Sequence, residues 1–209
     1  MKNSALPKSR YALFLVIMIA GLSLDLASKS WVFDDLGMPR LNQQPIWILQ
    51  GVLSFETSLN EGALFGMGQG WGWAFIGLSL VAVAGIVYWL FWQGAASDWL
   101  LCSVMAGIAA GIAGNLYDRL GLHGLTWTAA LKTQQSGLIG TQVYAVRDFI
   151  HFQYGAYSWP TFNVADSLLV CGVAILIFHA YVIEPRQAAN ANRDSDSSTD
   201  DSKLVETLA

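Results

Sequence analysis

Four stretches of this chain are each long and apolar enough to cross a bilayer. A helix needs about 20 mostly apolar residues to span ~30 Å of hydrocarbon. Residues 11–27, 71–92, 99–117 and 164–183 approach or meet that demand. Only 12% of the 209 residues are charged, against about 25% in an average soluble domain. That balance excludes a disordered chain and most soluble enzymes, and no basic patch is available for nucleic acid. Trp71, Trp73, Trp89, Trp92 and Trp99 sit at span ends, where indole rings favour the membrane–water interface. Cys102 and Cys171 lie inside apolar runs and carry no disulfide or metal signal. The fold class expected is an all-α membrane protein of four transmembrane helices.

The first span follows Lys2, Lys8 and Arg10, as a signal peptide would. It continues through Asp25 to Lys29 without an A-x-A-like cleavage site, so it reads as a retained helix. The Lys/Arg bias places the N-terminus inside, although Arg119, Lys132 and Arg147 pull the other way. Both termini are then cytoplasmic, and two long loops, about 30–70 and 119–163, face outward. In the first loop Leu53, Phe55, Thr57 and Leu59 alternate with polar residues, the period of a half-exposed strand. Residues 142–154 are also rich in β-branched and aromatic types. Together they predict a small outer β-platform suited to an extended peptide. Residues 1–186 form the expected membrane domain. The acidic, Asp/Ser-rich segment 187–209 reads as a disordered tail.

Polar residues inside apolar spans are costly and therefore informative. Asp25 and Lys29 stand i,i+4 on one helix face and read as a structural ion pair. Gly107, Gly111 and Asn115, at spacing four, predict a small-residue face for close helix approach. This face carries Asn115 and Asp118 towards a neighbouring helix, with packing as its main role. Asn163 and Asp166 open the fourth span as an N-cap and an acid near the positive end of the helix dipole. Asp148, flanked by apolar residues, lies 18 residues before Asp166, close enough for both to return to one site.

Other chemistries lack their residues. There is no H-E-x-x-H motif, and His123, His151 and His179 are each 28 residues apart. G-x-S-x-G, Walker and G-x-G-x-x-G patterns are missing as well. Ser28 and Lys29 are adjacent, so on a helix their side chains diverge. By elimination, carboxylates are the expected catalytic groups, with no metal or cofactor.

Five stretches, in order, resemble the bacterial lipoprotein signal peptidases, the signal peptidase II family. They are Asp25-Leu-Ala-Ser-Lys29, Asn60-Glu-Gly-Ala-Leu-Phe-Gly66, Gly114-Asn-Leu-Tyr-Asp-Arg119, Val146-Arg-Asp-Phe-Ile150 and Phe162-Asn-Val-Ala-Asp-Ser167. The resemblance implies an intramembrane aspartic endopeptidase of the bacterial cytoplasmic membrane, with its active site near the outer face. Its substrate would be a membrane-embedded prolipoprotein, cut just before a cysteine that already carries diacylglycerol. The family's catalytic acids fall on Asp148 and Asp166. Asn60, Gly62, Asn115, Asp118, Arg119, Asn163, Asp25 and Lys29 match supporting or substrate-binding positions. Four features depart from the family pattern: a Gly/Thr/Gln-rich insert at 121–142, Arg147 where an aliphatic residue is common, Glu61-Gly-Ala-Leu in place of Thr-Gly-Ala-Ala, and the acidic tail.

Two neighbouring carboxylates cannot both ionise cheaply, so one proton would be shared between them. The ionised member would then activate water while the protonated one bonds the scissile carbonyl. The competing reading is a small proton-coupled transporter or channel using Asp25, Asp118 and Asp166 as a relay. A relay needs acids along a path through the membrane, whereas these candidates gather near one face.

Overall fold

In the computed structural model, described for residues 6–40, 43–62, 70–128, 139–183 and 185, four long helices carry a small sheet at one end of the bundle. The expected tail at 187–209 lies outside the described residues. So do the centre of the insert, 129–138, and residues 63–66 of the loop motif.

Helix α1 runs Lys8–Leu36, well beyond the 11–27 expected. Hydropathy alone stops the span at its first charges, but Asp25 and Lys29 neutralise each other inside the protein. The helix therefore continues to Gly37, whose φ of 74° turns the chain out of it. Helix α2 spans Gly72–Val87 and ends in a π-helical turn, Tyr88–Trp92. After the short link, Asp98 caps α3 (Trp99–Arg119) by accepting hydrogen bonds from Leu100 and Leu101 N–H. Helix α4 covers Val164–Phe178 and closes with a second π turn, His179–Ile183. His179 Nε2 lies 2.8 Å from Asp98 Oδ2, tying that turn to the start of α3.

Helix α3 is the hub. In its most apolar window 56% of the residues are buried, against 11% in each of the other three helices. The outward faces of α1, α2 and α4 carry exposed Leu15, Val16, Leu80, Val81 and Ile177. Such faces suit a lipid surround rather than water. Close approach comes from small residues, though not at every position expected. A Cβ on Gly111 would lie 2.6 Å from the Ala165 carbonyl oxygen of α4, and one on Gly114 would strike the Asp25 carboxylate. Gly107 faces open space instead. Eight residues at 3.6 per turn leave it about 80° around the helix from Asn115, enough to leave the shared face.

Strands β1 (Ile46–Leu49), β2 (Leu53–Asn60), β3 (Val146–Tyr154) and β4 (Tyr157–Ser158) pair antiparallel in the order β1-β2-β3-β4. β2 matches the predicted alternation, whereas β3 starts four residues later than the 142 expected. Residues 125–127 and 141–143 instead form a ribbon of their own at the base of the insert, with Trp127 N–H on the Thr141 oxygen and Val143 N–H on the Leu125 oxygen. Val32 and Phe33 of α1 pack with Phe149 beneath the sheet, and Phe55 and Leu59 complete this second core. The sheet is thereby fixed over the last turns of α1, where the polar residues of the bundle collect.

Candidate active site

The start of α4 is built from its own sequence. Asn163 Oδ1 accepts the Asp166 N–H at 2.9 Å, and Asp166 Oδ2 accepts the Asn163 N–H at 3.3 Å. This reciprocal capping box satisfies two N–H groups that a helix start leaves orphaned. It also fixes the amide of Asn163, whose Nδ2 must point away from its own helix. That nitrogen donates to Asp148 Oδ1 at 2.6 Å and to Asn115 Oδ1 at 3.2 Å. Asn115 Nδ2 in turn donates to Asp166 Oδ1 at 2.8 Å. Asp148 of β3 and Asp166 of α4 thus belong to one hydrogen-bonded cluster, joined through Asn163 and Asn115.

Lys29 sets the direction of that cluster. An ammonium has three donors and no acceptor, and its targets are Asp25 Oδ2 at 2.7 Å, Asn115 Oδ1 at 3.0 Å and Asp118 Oδ2 at 3.2 Å. Because Lys29 can only donate, Asn115 must offer it oxygen and turn its nitrogen towards Asp166. The expected Asp25–Lys29 ion pair is present, with both side chains fully buried. Asp25 also accepts the Ala165 N–H at 2.8 Å, pinning the first turn of α4 to α1. Asp118 does more than follow its helix into a packed face. Its carboxylate receives Lys29 and three N–H groups of Arg147, one main-chain and two guanidinium, at 2.9–3.1 Å.

Asn60, at the end of β2, donates to Asp148 Oδ2 at 3.2 Å and accepts the Gly62 N–H at 3.0 Å. The Gly62 carbonyl accepts Arg119 Nη2 at 3.0 Å, and the Arg119 guanidinium lies over the Phe75 ring, 5.2 Å from its centroid. A cavity of about 480 Å³ opens beside these groups, lined by polar Asn60, Asn115, Arg119 and Asp166 and by apolar Ile112 and Leu169. Asp166 faces this cavity, while Asp148 is only 2% exposed behind the two asparagines. Burial, aided by the negative charge of Asp166, pushes the Asp148 carboxyl up to about 7, against the opposing pull of the Asn163 and Asn60 hydrogen bonds.

All ten residues singled out from the sequence gather at the sheet end of the bundle. Asp148, Asp166, Asn115, Asn163 and Asn60 form the inner cluster. Gly62 and Arg119 line one side of it, and Asp25, Lys29 and Asp118 lie beneath. Sequence reasoning gave no role to Arg147, which is 4% exposed and also reaches Ser30 Oγ of α1 at 3.3 Å. An arginine buried between valine and aspartate at the start of β3 was the available signal. Among the described residues, no group of three or more His, Cys, Asp or Glu could hold a metal ion.

Fold and site together define a polytopic membrane protein with one buried and one cavity-facing carboxylate set between a helix start and a sheet. A family model described as Signal peptidase (SPase) II matches residues 17–182. A lipoprotein signal peptidase of Rhodopirellula baltica is 42% identical over 182 residues, covering 86% of this chain and 76% of its own. One from Methylorubrum extorquens is 32% identical, covering 82% and 87%. Two solved bacterial membrane enzyme structures share the fold at 22% and 21% identity, with TM-scores of 0.62 and 0.60. The first covers 88% of this chain and 94% of its own. The chain belongs to the signal peptidase II family, and is a protease of that kind.

Proposed function

We propose that the chain removes the signal peptide from diacylglyceryl-modified prolipoproteins, cutting before the lipidated cysteine, with Asp148 and Asp166 as its catalytic carboxylates. The observation that carries this reading is the shared amide frame: Asn163 donates to the Asp148 carboxylate and to Asn115, and Asn115 donates to the Asp166 carboxylate while accepting from Lys29. Neutral amides hold two carboxylates in place without removing the charge conflict that makes them share a proton. Burial raises the Asp148 carboxyl to about 7, so the pair keeps its proton up to about neutral pH. The ionised member takes a proton from a water admitted through the cavity, and that water attacks the scissile carbonyl. The protonated member hydrogen-bonds the carbonyl oxygen and then helps the amine leave. No metal or cofactor takes part in this scheme.

The cavity suits the substrate by its mixed polar and apolar lining. Apolar Ile112 and Leu169 match a signal segment and acyl chains, and polar Asn60 and Arg119 match a peptide backbone drawn out of its helix. The working arrangement is a bacterial cytoplasmic membrane with both termini inside and the sheet on the outer face. The transporter alternative has little support. Asp25, Asp118 and Asp166 lie together at the sheet end, and at the opposite helix ends, among the described residues, Asp98 is occupied by capping α3 and bonding His179.

The test is incubation of the purified full chain in detergent with a diacylglyceryl prolipoprotein and with the same precursor unlipidated. Cleavage of the first alone, leaving the modified cysteine at the new N-terminus, is the expected result. Cutting elsewhere, or none in a folded preparation, would overturn the proposal.

A further inference from the structure

Asp148 pairs with Ser58 beside an irregularity in the β2–β3 ladder. The β2–β3 register shifts between Phe55 and Ser58, immediately beside the Ser58–Asp148 pair. β2 carries one extra residue there against β3, a bulge that disrupts the ladder locally. The neighbouring residue supplies a different anchor. Arg147 N–H donates to Asp118 Oδ2 at 3.0 Å, and its Nε and Nη2 donate to Asp118 Oδ1 at 3.1 and 2.9 Å. Nη1 adds Ser30 of α1 at 3.3 Å. Asp118 lies three residues from Asn115 on α3, so one turn of helix holds both the start of β3 and the amide that bonds Asp166.

Charge counting points the same way. Asp25, Lys29, Asp118 and Arg147 are all 4% exposed or less and sum to zero. Without the guanidinium, Lys29 would face two buried carboxylates alone. Its attraction to Asp118 would then compete with its bond to Asn115, the bond that orients that amide.

We infer that Arg147 is a positioning residue for the reaction: its fork onto Asp118 holds Asp148 at the distance from Asp166 that catalysis needs, and leaves Lys29 free to orient Asn115. This rests on the reading of Asp148 and Asp166 as the catalytic pair. A lysine keeps the charge but not the planar, multi-donor fork, so the two contributions can be separated.

The experiment compares full-chain Arg147→Lys, Arg147→Met, Asp118→Asn and the double variant Asp118→Asn/Arg147→Met with wild type and Asp148→Asn. Steady-state cleavage of a diacylglyceryl prolipoprotein in detergent is normalised to folded protein. Misplacement of a reacting group by about 1 Å can lower the rate roughly 100-fold. Arg147→Met should therefore lower kcat roughly 10–100-fold with little change in KM, and Arg147→Lys should fall between it and wild type. The double variant should be no worse than the poorer single one, since both remove one contact. If the Met variant does not fold, the Lys variant alone decides, and wild-type kcat there overturns the inference. Full kcat in Arg147→Met, with only a lower melting temperature, also overturns it. Retained turnover in Asp148→Asn instead overturns the catalytic assignment on which the inference rests.

Discussion

Asp148 receives two amide N–H groups in a place where water hardly reaches, and this has a consequence for stability. An acid whose folded-state value is raised binds its proton more tightly folded than unfolded. Stability therefore declines as pH climbs from about 4 to about 7. The rise from 3.8 to about 7 corresponds to about 4 kcal/mol of lost preference for the charged form. Asp148→Asn should accordingly be more stable than wild type at pH 8, by up to that amount, with the gap closing near pH 4. Unfolding in detergent across that range checks it, and a gap independent of pH would contradict it. Asp25 is held by an ammonium and a main-chain N–H. Removing it leaves Lys29 one acid short and the Ala165 N–H without its acceptor, so Asp25→Ala should lose about 3–5 kcal/mol. Turnover should fall only in step with folded protein, and a stable Asp25→Ala with no turnover would instead give Asp25 a part in the chemistry. The i,i+4 spacing made this pair legible from the sequence alone. Arg147 was not legible in the same way, because its partner stands 29 residues earlier on another element. The residue type was a local signal, but nothing local names its partner.

Helices were read from the sequence more completely than strands, for a physical reason. A membrane span declares itself by length and apolarity, without reference to any partner. The start of a strand depends on its neighbour, and residues 142–143 pair with the insert while β3 waits until Val146. The small-residue face of α3 was legible in kind but not in detail, since spacing four drifts around a helix of 3.6 residues per turn. The difference between its glycines is testable. Gly111→Ala would press a methyl group against the Ala165 backbone, one residue before Asp166. It should lose about 1–3 kcal/mol and a corresponding share of turnover. Gly107→Ala, with nothing within 4 Å, should stay within about 0.5 kcal/mol of wild type. Thermal melts and cleavage rates of the two variants decide it, and equal effects at both positions would contradict this account of the α3–α4 contact.

At the scale of the whole molecule, the bundle holds its polar groups at one end and presents apolar faces around α1, α2 and α4. The acidic segment 187–209 follows α4, which begins beside Asp166 and ends at the opposite end of the bundle. A chain ending at residue 186 should therefore insert and cleave like the full chain. A shortened protein that folds but does not cut would give the segment a function. Both long-range features of the site, the bridging of two distant acids and the neutral quartet beneath them, arise only when α1, α3, α4 and β3 meet. The central claim is that these two acids perform the cleavage. Its most direct measurement is turnover of a diacylglyceryl prolipoprotein by Asp148→Asn and Asp166→Asn, each purified folded and in detergent. The account predicts no detectable product from either, because an amide cannot take the proton of the attacking water or share one with its partner. Near-normal cleavage by either variant would contradict it.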